Sequence, residues 1–301
     1  MNKELIQNDS EKSIQPSAPQ TSSPIPGNKK TGYLNENFQL FHIKDQIQRD
    51  FDFHYHDFNK VVFFLSGNVT YLIEGKAYYL KPGDILLVKQ YDIHKPVIEA
   101  SVPYERIILY IKNDYIRSLN DDVCDISTCF HEIENRSYNL IRLNTTLQTR
   151  IRDNISQLEH ALKSQEFGSS LLSNSLFMQL MVYLNRIVLE KEYIEDRASL
   201  KYDSQTEQIL NYINQNLSQN LSIEALAERF YISKYHLMRK FKSETGYTLH
   251  NYIIQKRLLQ ANQYIHQGTG IQKAAEQSGF QDYTTFSRAY KTHFGHAPTA
   301  K

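Results

Sequence analysis

Two different periods of apolar residues divide the chain. Between Phe38 and Ile111 apolar residues come in short runs of period two, rich in β-branched and aromatic side chains: Val61 to Leu65, Val69 to Ile73, Ala77 to Leu80, Ile85 to Val88 and Arg106 to Ile111. Turn residues separate them at Ser66-Gly67-Asn68, Glu74-Gly75-Lys76 and Lys81-Pro82-Gly83-Asp84. Short strands at this spacing predict a small barrel or sandwich. After about Ile133 the period lengthens to three or four. Leu147, Ile151, Ile155, Leu158 and Leu162 form one stripe and Leu176, Leu180, Leu184 and Ile187 another, which predicts two amphipathic helices parted near Gly168-Ser169-Ser170. The segment Glu190 to Lys201 loses this periodicity and reads as a linker.

From Ser204 onward every segment reads as a short helix: one through Ile209, Leu210, Ile213 and Leu217, then Ile223 to Phe230, Lys234 to Glu244 capped by Ser233, and a longer one from Leu249 to Ile265. Ile271 to Ser278, and Tyr283 to Phe294 capped by Asp282, repeat the second and third of these. The expected class is α+β. It comprises a tail over 1–34 poor in apolar residues and read as disordered, a β-barrel over 35–132, a helical dimerisation and linker segment over 133–202, and an all-α domain over 203–301.

Composition changes this picture little. At 301 residues the chain exceeds what one core usually supports. The most apolar stretch, Leu171 to Leu189, is interrupted by Ser173, Asn174, Ser175, Gln179, Asn185 and Arg186, so it reads as a buried helix and not a bilayer span. The first residues offer no apolar signal core, and the expected location is the cytoplasm, with no membrane partner. Two cysteines, Cys124 and Cys129, are too few for a disulfide framework and read as reduced structural thiols. The net charge of +1 hides an asymmetry, because residues 203–301 carry 11 Lys and Arg against 7 Asp and Glu. That balance points toward phosphate.

The repeated pair of helices carries the chemistry. Each is a helix-turn-helix unit in which a small residue, Ala227 or Ala275, permits close crossing; in the second, Gly279 supplies a left-handed turn. Leu237 and Phe241 in the first unit, and Phe286 and Tyr290 in the second, face inward. The opposite faces are polar: Tyr235, Met238, Arg239 and Lys242 stand at i, i+3, i+4 and i+7, and Thr284, Ser287, Arg288 and Lys291 repeat the spacing. Such a face fits the major groove of duplex DNA, where an arginine forks onto guanine. With the caps Ser233 and Asp282 and their neighbours Lys234 and Tyr283, these are the expected DNA-binding residues. An ordinary helical interaction domain with solvated basic faces is the alternative. Two matching units favour DNA.

Over about 95 C-terminal residues the chain resembles the AraC/XylS family of bacterial transcription regulators. The resemblance rests on Ala227, Ser233, Leu237, Arg239, Phe241, Lys242, Gly246, Tyr252, Arg257 and Ala261, then on Ala274, Gly279, Phe280, Phe286, Arg288, Lys291, Gly295 and Pro298. It departs at the end, where the family usually continues with a Tyr-Arg pair and this chain stops at Thr299-Ala300-Lys301. The barrel in turn resembles the cupin-type arm of many such regulators: His54-Tyr55-His56 with Gly67 matches the first cupin motif, and Pro82-Gly83-Asp84 with His94 the second.

Metal-binding cupins place a Glu where this chain has Lys60, whose ammonium repels a divalent ion, so the expectation is no metal and no cofactor. His54, His56, Lys60 and His94 are then expected to hydrogen-bond a polar effector. Three histidines able to hold zinc or iron, or histidines that merely complete a turn on the barrel rim, remain the other readings. The resemblance implies a non-enzymatic, DNA-binding transcription activator answering a small molecule such as a carbohydrate, acting as a homodimer and with RNA polymerase as partner. A cupin metalloenzyme with a DNA-binding appendage, and a constitutive regulator whose barrel only dimerises, are the rivals.

The helix from Leu249 to Ile265 is 17 residues, about 25 Å at about 1.5 Å per residue. With its turns it can hold two reading helices near the roughly 34 Å repeat of successive major grooves. One monomer is therefore expected to protect two groove segments about 10 base pairs apart in a hydroxyl-radical footprint. Protection of a single segment contradicts the paired reading.

Overall fold

The structure, a computed structural model, describes residues 29–30, 34–46, 51–136, 138–194, 200–201 and 204–299. The β-rich part is built from β1 (Lys29–Lys30), β2 (Phe38–Asp45), β3 (His54–Tyr55), β4 (Asn59–Ser66), β5 (Asn68–Ile73), β6 (Lys76–Tyr79), β7 (Ile85–Val88), β8 (His94–Glu99), β9 (Tyr104–Ile111), β10 (Leu140–Ile141) and β11 (Leu200–Lys201). One sheet runs β1-β3-β8-β5-β6-β11 and the other β10-β7-β4-β9-β2. All pairings are antiparallel except β1 with β3.

The strand β4 shows why the sequence folds this way. Both its faces are buried, so the strand is a continuous apolar run where an alternation of period two was expected. Val62 and Phe64 pack between the sheets with Tyr71, Ile73, Tyr78 and Leu86. Val61 and Phe63 pack on the other side, with Ile85, Leu87 and Leu109, beneath a layer of helices. That layer consists of α1 (Asn113–Ser118), α2 (Thr128–Arg136), α3 (Thr145–Lys163) and α4 (Ser169–Leu189). Each such side chain taken from water contributes about 1.5–3 kcal/mol. Cys129 is wholly buried on α2, its thiol pushed up to about 12 by burial, whereas Cys124 is exposed; both are free.

Five expectations need correction. Within the segment read as a disordered tail, Lys29–Lys30 form a strand beside His54–Tyr55; the remainder of 1–33 lies outside the described residues. Within the expected linker, Leu200–Lys201 pair with Ala77 and Tyr78, so this stretch closes an edge of the sheet. The stripe Leu176, Leu180, Leu184 and Ile187 on α4, within the segment expected to serve dimerisation, is buried in the same core as Phe177 and Met181, against α3 and the sheet. A two-layer packing needs both apolar faces of α4, which the sequence period alone does not reveal. Conversely Leu162, placed on the α3 stripe, is 41% exposed. The boundary expected at 132/133 falls inside α2, and β10 beyond it belongs to the sheet.

The all-α part contains α5 (Ser204–Gln215), α6 (Ile223–Arg229), α7 (Lys234–Thr245), α8 (Leu249–His266), α9 (Ile271–Gln277) and α10 (Tyr283–Phe294). Two cores flank α8. Leu249, Tyr252 and Ile253 join that of α5, α6 and α7, and Leu258 and Ala261 join that of α9 and α10.

The turn of the second cupin-like motif is a structural lock. Asp84 accepts two bonds from Arg142, from Nε at 2.7 Å and Nη2 at 2.6 Å, and a third from the Lys81 amide at 2.7 Å. Both charges are buried, so removing one strands the other in a low dielectric. Asp84→Ala is expected to lower stability by about 3–5 kcal/mol in urea unfolding. A loss below about 1 kcal/mol contradicts this role.

Candidate functional site

Both prospective reading helices, α7 and α10, begin on a side-chain cap. Ser233 Oγ accepts from the His236 amide at 3.2 Å, and Asp282 Oδ2 accepts from the Thr285 amide at 2.6 Å. The Thr285 bonds hold the Asp282 carboxyl below its usual range. Leu237, Phe241, Phe286 and Tyr290 are buried, which fixes how each helix is rolled. The polar faces therefore turn outward: Lys234, Tyr235, Met238, Arg239 and Lys242 are exposed on α7, and Tyr283, Thr284, Arg288 and Lys291 on α10, with Ser287 half-buried. Lys234 Nζ lies 2.7 Å from Glu224 Oε1, an exposed pair that solvent screens and that can open readily.

The turns differ in a way the sequence hides. Gly279 has φ +93°, and a Cβ there would strike the Leu217 carbonyl oxygen. In the first unit Tyr231 holds the matching left-handed place at φ +52° and is 94% exposed. Its one sequence signal is its correspondence with Gly279. Arg257, whose Nε and Nη2 each donate at 2.8 Å to the carbonyls of Leu217 and Gln219, ties α8 to the loop before α6 and is structural.

The four residues expected to bind an effector, His54, His56, Lys60 and His94, converge between the sheets. His54 and His94 face each other across the β3–β8 pair, and His56 lies two residues from His54 on the same face. The ring centroids are 4.5, 5.0 and 5.1 Å apart for His54–His94, His56–His94 and His54–His56. His54 Nδ1 lies 2.8 Å from the Asp52 carbonyl and His94 Nδ1 2.9 Å from that of Asp92. Lys60 enters from β4 and donates to Tyr71 Oη at 2.9 Å, with its Nζ over the rings of Tyr71 and Tyr110. Burial, then the Arg106 guanidinium, pushes the Lys60 ammonium down to about 7. Phe58 stacks on His56 with ring centroids 4.6 Å apart, so the group is close-packed.

The backs of these strands touch the all-α part. Tyr55, between the two histidines, has its ring centroid 5.6 Å from that of His293 near the end of α10, and Tyr91 stands 5.4 Å from the same ring. Ile93, beside His94, is buried in the core of α5 to α8. Phe53 lies so close to Gly246, just past α7, that a Cβ there would overlap its ring. The β5–β6 hairpin completes the contact. Its two-residue turn, Glu74-Gly75, has φ +47° and +78°, the positive pair that a tight hairpin favours. The Glu74 carboxylate accepts from the Ile93 amide at 2.9 Å and lies 3.1 Å from both Lys256 Nζ and Tyr252 Oη on α8. Burial opposes the charge on Lys256, yet Glu74, with Tyr252 and Asp92, holds its ammonium well above the usual lysine range.

With this geometry in place the comparisons are unambiguous. The family profile of the AraC-like ligand binding domain matches residues 39–181, and that of a helix-turn-helix domain matches residues 226–300. The chain belongs to the AraC/XylS family of transcription regulators. It is 25% identical over 255 residues to the HTH-type transcriptional activator RhaS of Escherichia coli, covering 83% of this chain and 87% of that one. To RhaS of Yersinia pestis it is 28% identical over 256 residues, covering 83% and 89%. The solved structure of ToxT from Vibrio cholerae aligns at 14% identity over 88% of this chain and 96% of that one, with a TM-score of 0.36. Both domains are those of regulators, which sets the enzyme alternative aside. As in that family, a ligand-binding domain precedes a DNA-binding one, and no described helix is long and apolar enough to cross a membrane.

Burial, followed by Lys60, His56 and His54, holds the His94 imidazole well below 6.5, against the Asp92 carbonyl. The folded chain thus refuses a proton that the unfolded chain accepts below pH 6.5, and stability falls as pH drops through that value. The loss is at most about 1.4 kcal/mol per pH unit for one such group. Urea unfolding between pH 7.5 and 5.5 should show a steeper decline for the wild type than for His94→Gln. Equal slopes contradict the assignment.

Proposed function

We propose that this regulator is a sequence-specific transcription activator whose β-rich domain senses a small polar molecule, a carbohydrate being one candidate, and passes its occupancy to the reading helices. One observation carries the proposal: the two segments that supply the histidines, residues 53–56 and 91–94, also touch the trailing end of α10 and the residue after α7. A ligand shifts a regulator only through its differential affinity for two states. Here a ligand that moved His54 or His94 would move Tyr55 and Ile93, and with them the placement of two helices that must match two grooves at once. His54, His56, Lys60 and His94 are the proposed sensor residues. Ser233, Lys234, Tyr235, Met238, Arg239, Lys242, Asp282, Tyr283, Thr284, Ser287, Arg288 and Lys291 are the proposed DNA contacts, with Arg239 and Arg288 as base readers.

Activation is proposed from the likeness to the RhaS relatives, which are transcriptional activators, and RNA polymerase is the partner that activation implies. For a homodimer the face to consider is the far side of the α3–α4 pair, where Phe167, Leu171 and Leu172 are exposed at 108%, 74% and 54% beside Leu162 and Met178. That patch replaces the buried stripe as the proposed seam.

The test is binding to DNA selected by the protein from a random pool. Arg239→Ala and Arg288→Ala should each weaken binding by about 1–3 kcal/mol and relax preference at particular base pairs. Glu74→Gln, far from the DNA face, should alter the affinity of the full chain without changing which bases are preferred. Unchanged affinity in all three variants overturns the proposal.

A further inference from the structure

We infer that α7 recognises thymine, through apolar contact of Tyr235 and Met238 with 5-methyl groups in the major groove, while α10 reads its own groove segment through hydrogen bonds. This rests on the reading of α7 and α10 as the DNA-binding helices and names the base chemistry that each one selects.

The two helices match at some positions and part at others. Counted from the caps Ser233 and Asp282, Arg239 corresponds to Arg288 and Lys242 to Lys291. Tyr235, however, stands where α10 has Thr284, and Met238 where it has Ser287. The buried Leu237 and Phe241 turn these positions of α7 away from the core. Tyr235 is left 70% exposed and Met238 41% exposed, three positions apart on one face. Single apolar residues on a surface are ordinary, but an aromatic ring beside a thioether marks a contact surface. The charge around the pair says what covers it. Lys234, Arg239 and Lys242 are exposed beside it, and no acidic residue interrupts the chain from Lys234 to Ser243, which suits a polyanion.

Duplex DNA supplies the complementary group. Among the base edges of the major groove, thymine alone carries a methyl, next to its O4 acceptor. The first residues of a reading helix are the ones that approach base edges, and Tyr235 and Met238 lie in the first two turns of α7. The unbranched thioether of Met238 adapts to an irregular surface. The Tyr235 ring can cover a methyl while its hydroxyl stays in water or donates to phosphate. Thr284 and Ser287 on α10 offer short hydroxyls, which bond to the polar edges of any base pair. Both segments should therefore contain guanine, read by Arg239 and Arg288, but only the one under α7 should depend on methyl groups.

The test uses the full chain and DNA selected by it from a random pool. Base pairs whose preference relaxes in Arg239→Ala mark the segment under α7, and those that relax in Arg288→Ala mark the segment under α10. In each segment in turn, deoxyuridine replaces thymidine, which deletes the methyl and keeps the pairing and the O4 acceptor. The expected result is thymine enriched under α7, with binding weakened about three- to fivefold for each contacted methyl removed there, and a smaller loss for the same change under α10. In the double variant Tyr235→Ser, Met238→Ser the effect of deoxyuridine should disappear while the preference set by Arg239 remains. Both positions are exposed, and far-UV circular dichroism checks that the variant is folded. Equal losses under the two helices, or undiminished methyl dependence in the double variant, overturn the inference. So does a wild type indifferent to the methyls under α7, which would leave the apolar pair to a protein partner. In each of these cases the DNA-binding reading stands as long as Arg239→Ala and Arg288→Ala relax base preference. If no sequence emerges from the pool, both readings fall together.

Discussion

The alternation of side chains along a strand is the constraint on which this molecule turns. In β3 and at the start of β8, successive residues must point to opposite sides, so a segment that turns His54 and His56 inward necessarily turns Tyr55 outward, and one that turns His94 inward turns Ile93 outward. The interior of the sensor and the surface that meets the helical domain are therefore two faces of the same few residues. A ring that shifts inside has no route to relax that leaves the outer face unmoved. Under the proposed function, sensing and reading become one mechanical problem instead of two domains joined by a tether.

The Glu74 contact adds a polar link between the same two parts. A carboxylate at the tip of a tight hairpin reaches Lys256 and Tyr252 on α8 while accepting from the Ile93 amide, so the hairpin, the histidine-bearing segment and the central helix of the reader share one set of hydrogen bonds. Because the carboxylate and the ammonium are both largely shielded from water, breaking the pair leaves a charge poorly solvated. A buried network of this kind is costly to half-satisfy, which favours a few discrete arrangements over a continuum. α8 in turn belongs to the cores of both helix-turn-helix units, so what is fixed at Lys256 is communicated to α7 and α10 together.

Much of this was legible in the residues. The helix-turn-helix repeat declared itself through local signals: caps at Ser233 and Asp282, glycine at 279, and two faces of opposite character on one helix period. All of these depend on neighbours within a turn or two. The strands read at Ile85 to Val88 and Val69 to Ile73 were equally plain for the same reason, the second starting one residue earlier, at Asn68. What failed was whatever depends on partners far along the chain. β8 contains Pro96, which masks its strand character, and β3 is two residues long, so neither has a period to read. The partner of the α4 stripe could not be read, because an apolar face looks the same whether its partner is another chain or its own sheet. The histidines could be named from motif resemblance, yet that they form one triangle follows only from the β3–β8 register. The contact of Glu74 with Lys256 joins residues on separate domains, and no local pattern marks it.

The central claim is that the sensor domain sets the placement of the reading helices. Pulsed dipolar spectroscopy between spin labels on Lys242→Cys and Lys291→Cys, in a Cys124→Ser background, measures that placement directly. The account predicts a narrow distance distribution in the otherwise unaltered chain and a shifted or broadened one when Ile93→Ser and Glu74→Ala remove the contact. Identical distributions in the two proteins would show that the reader holds its own geometry and would contradict the account.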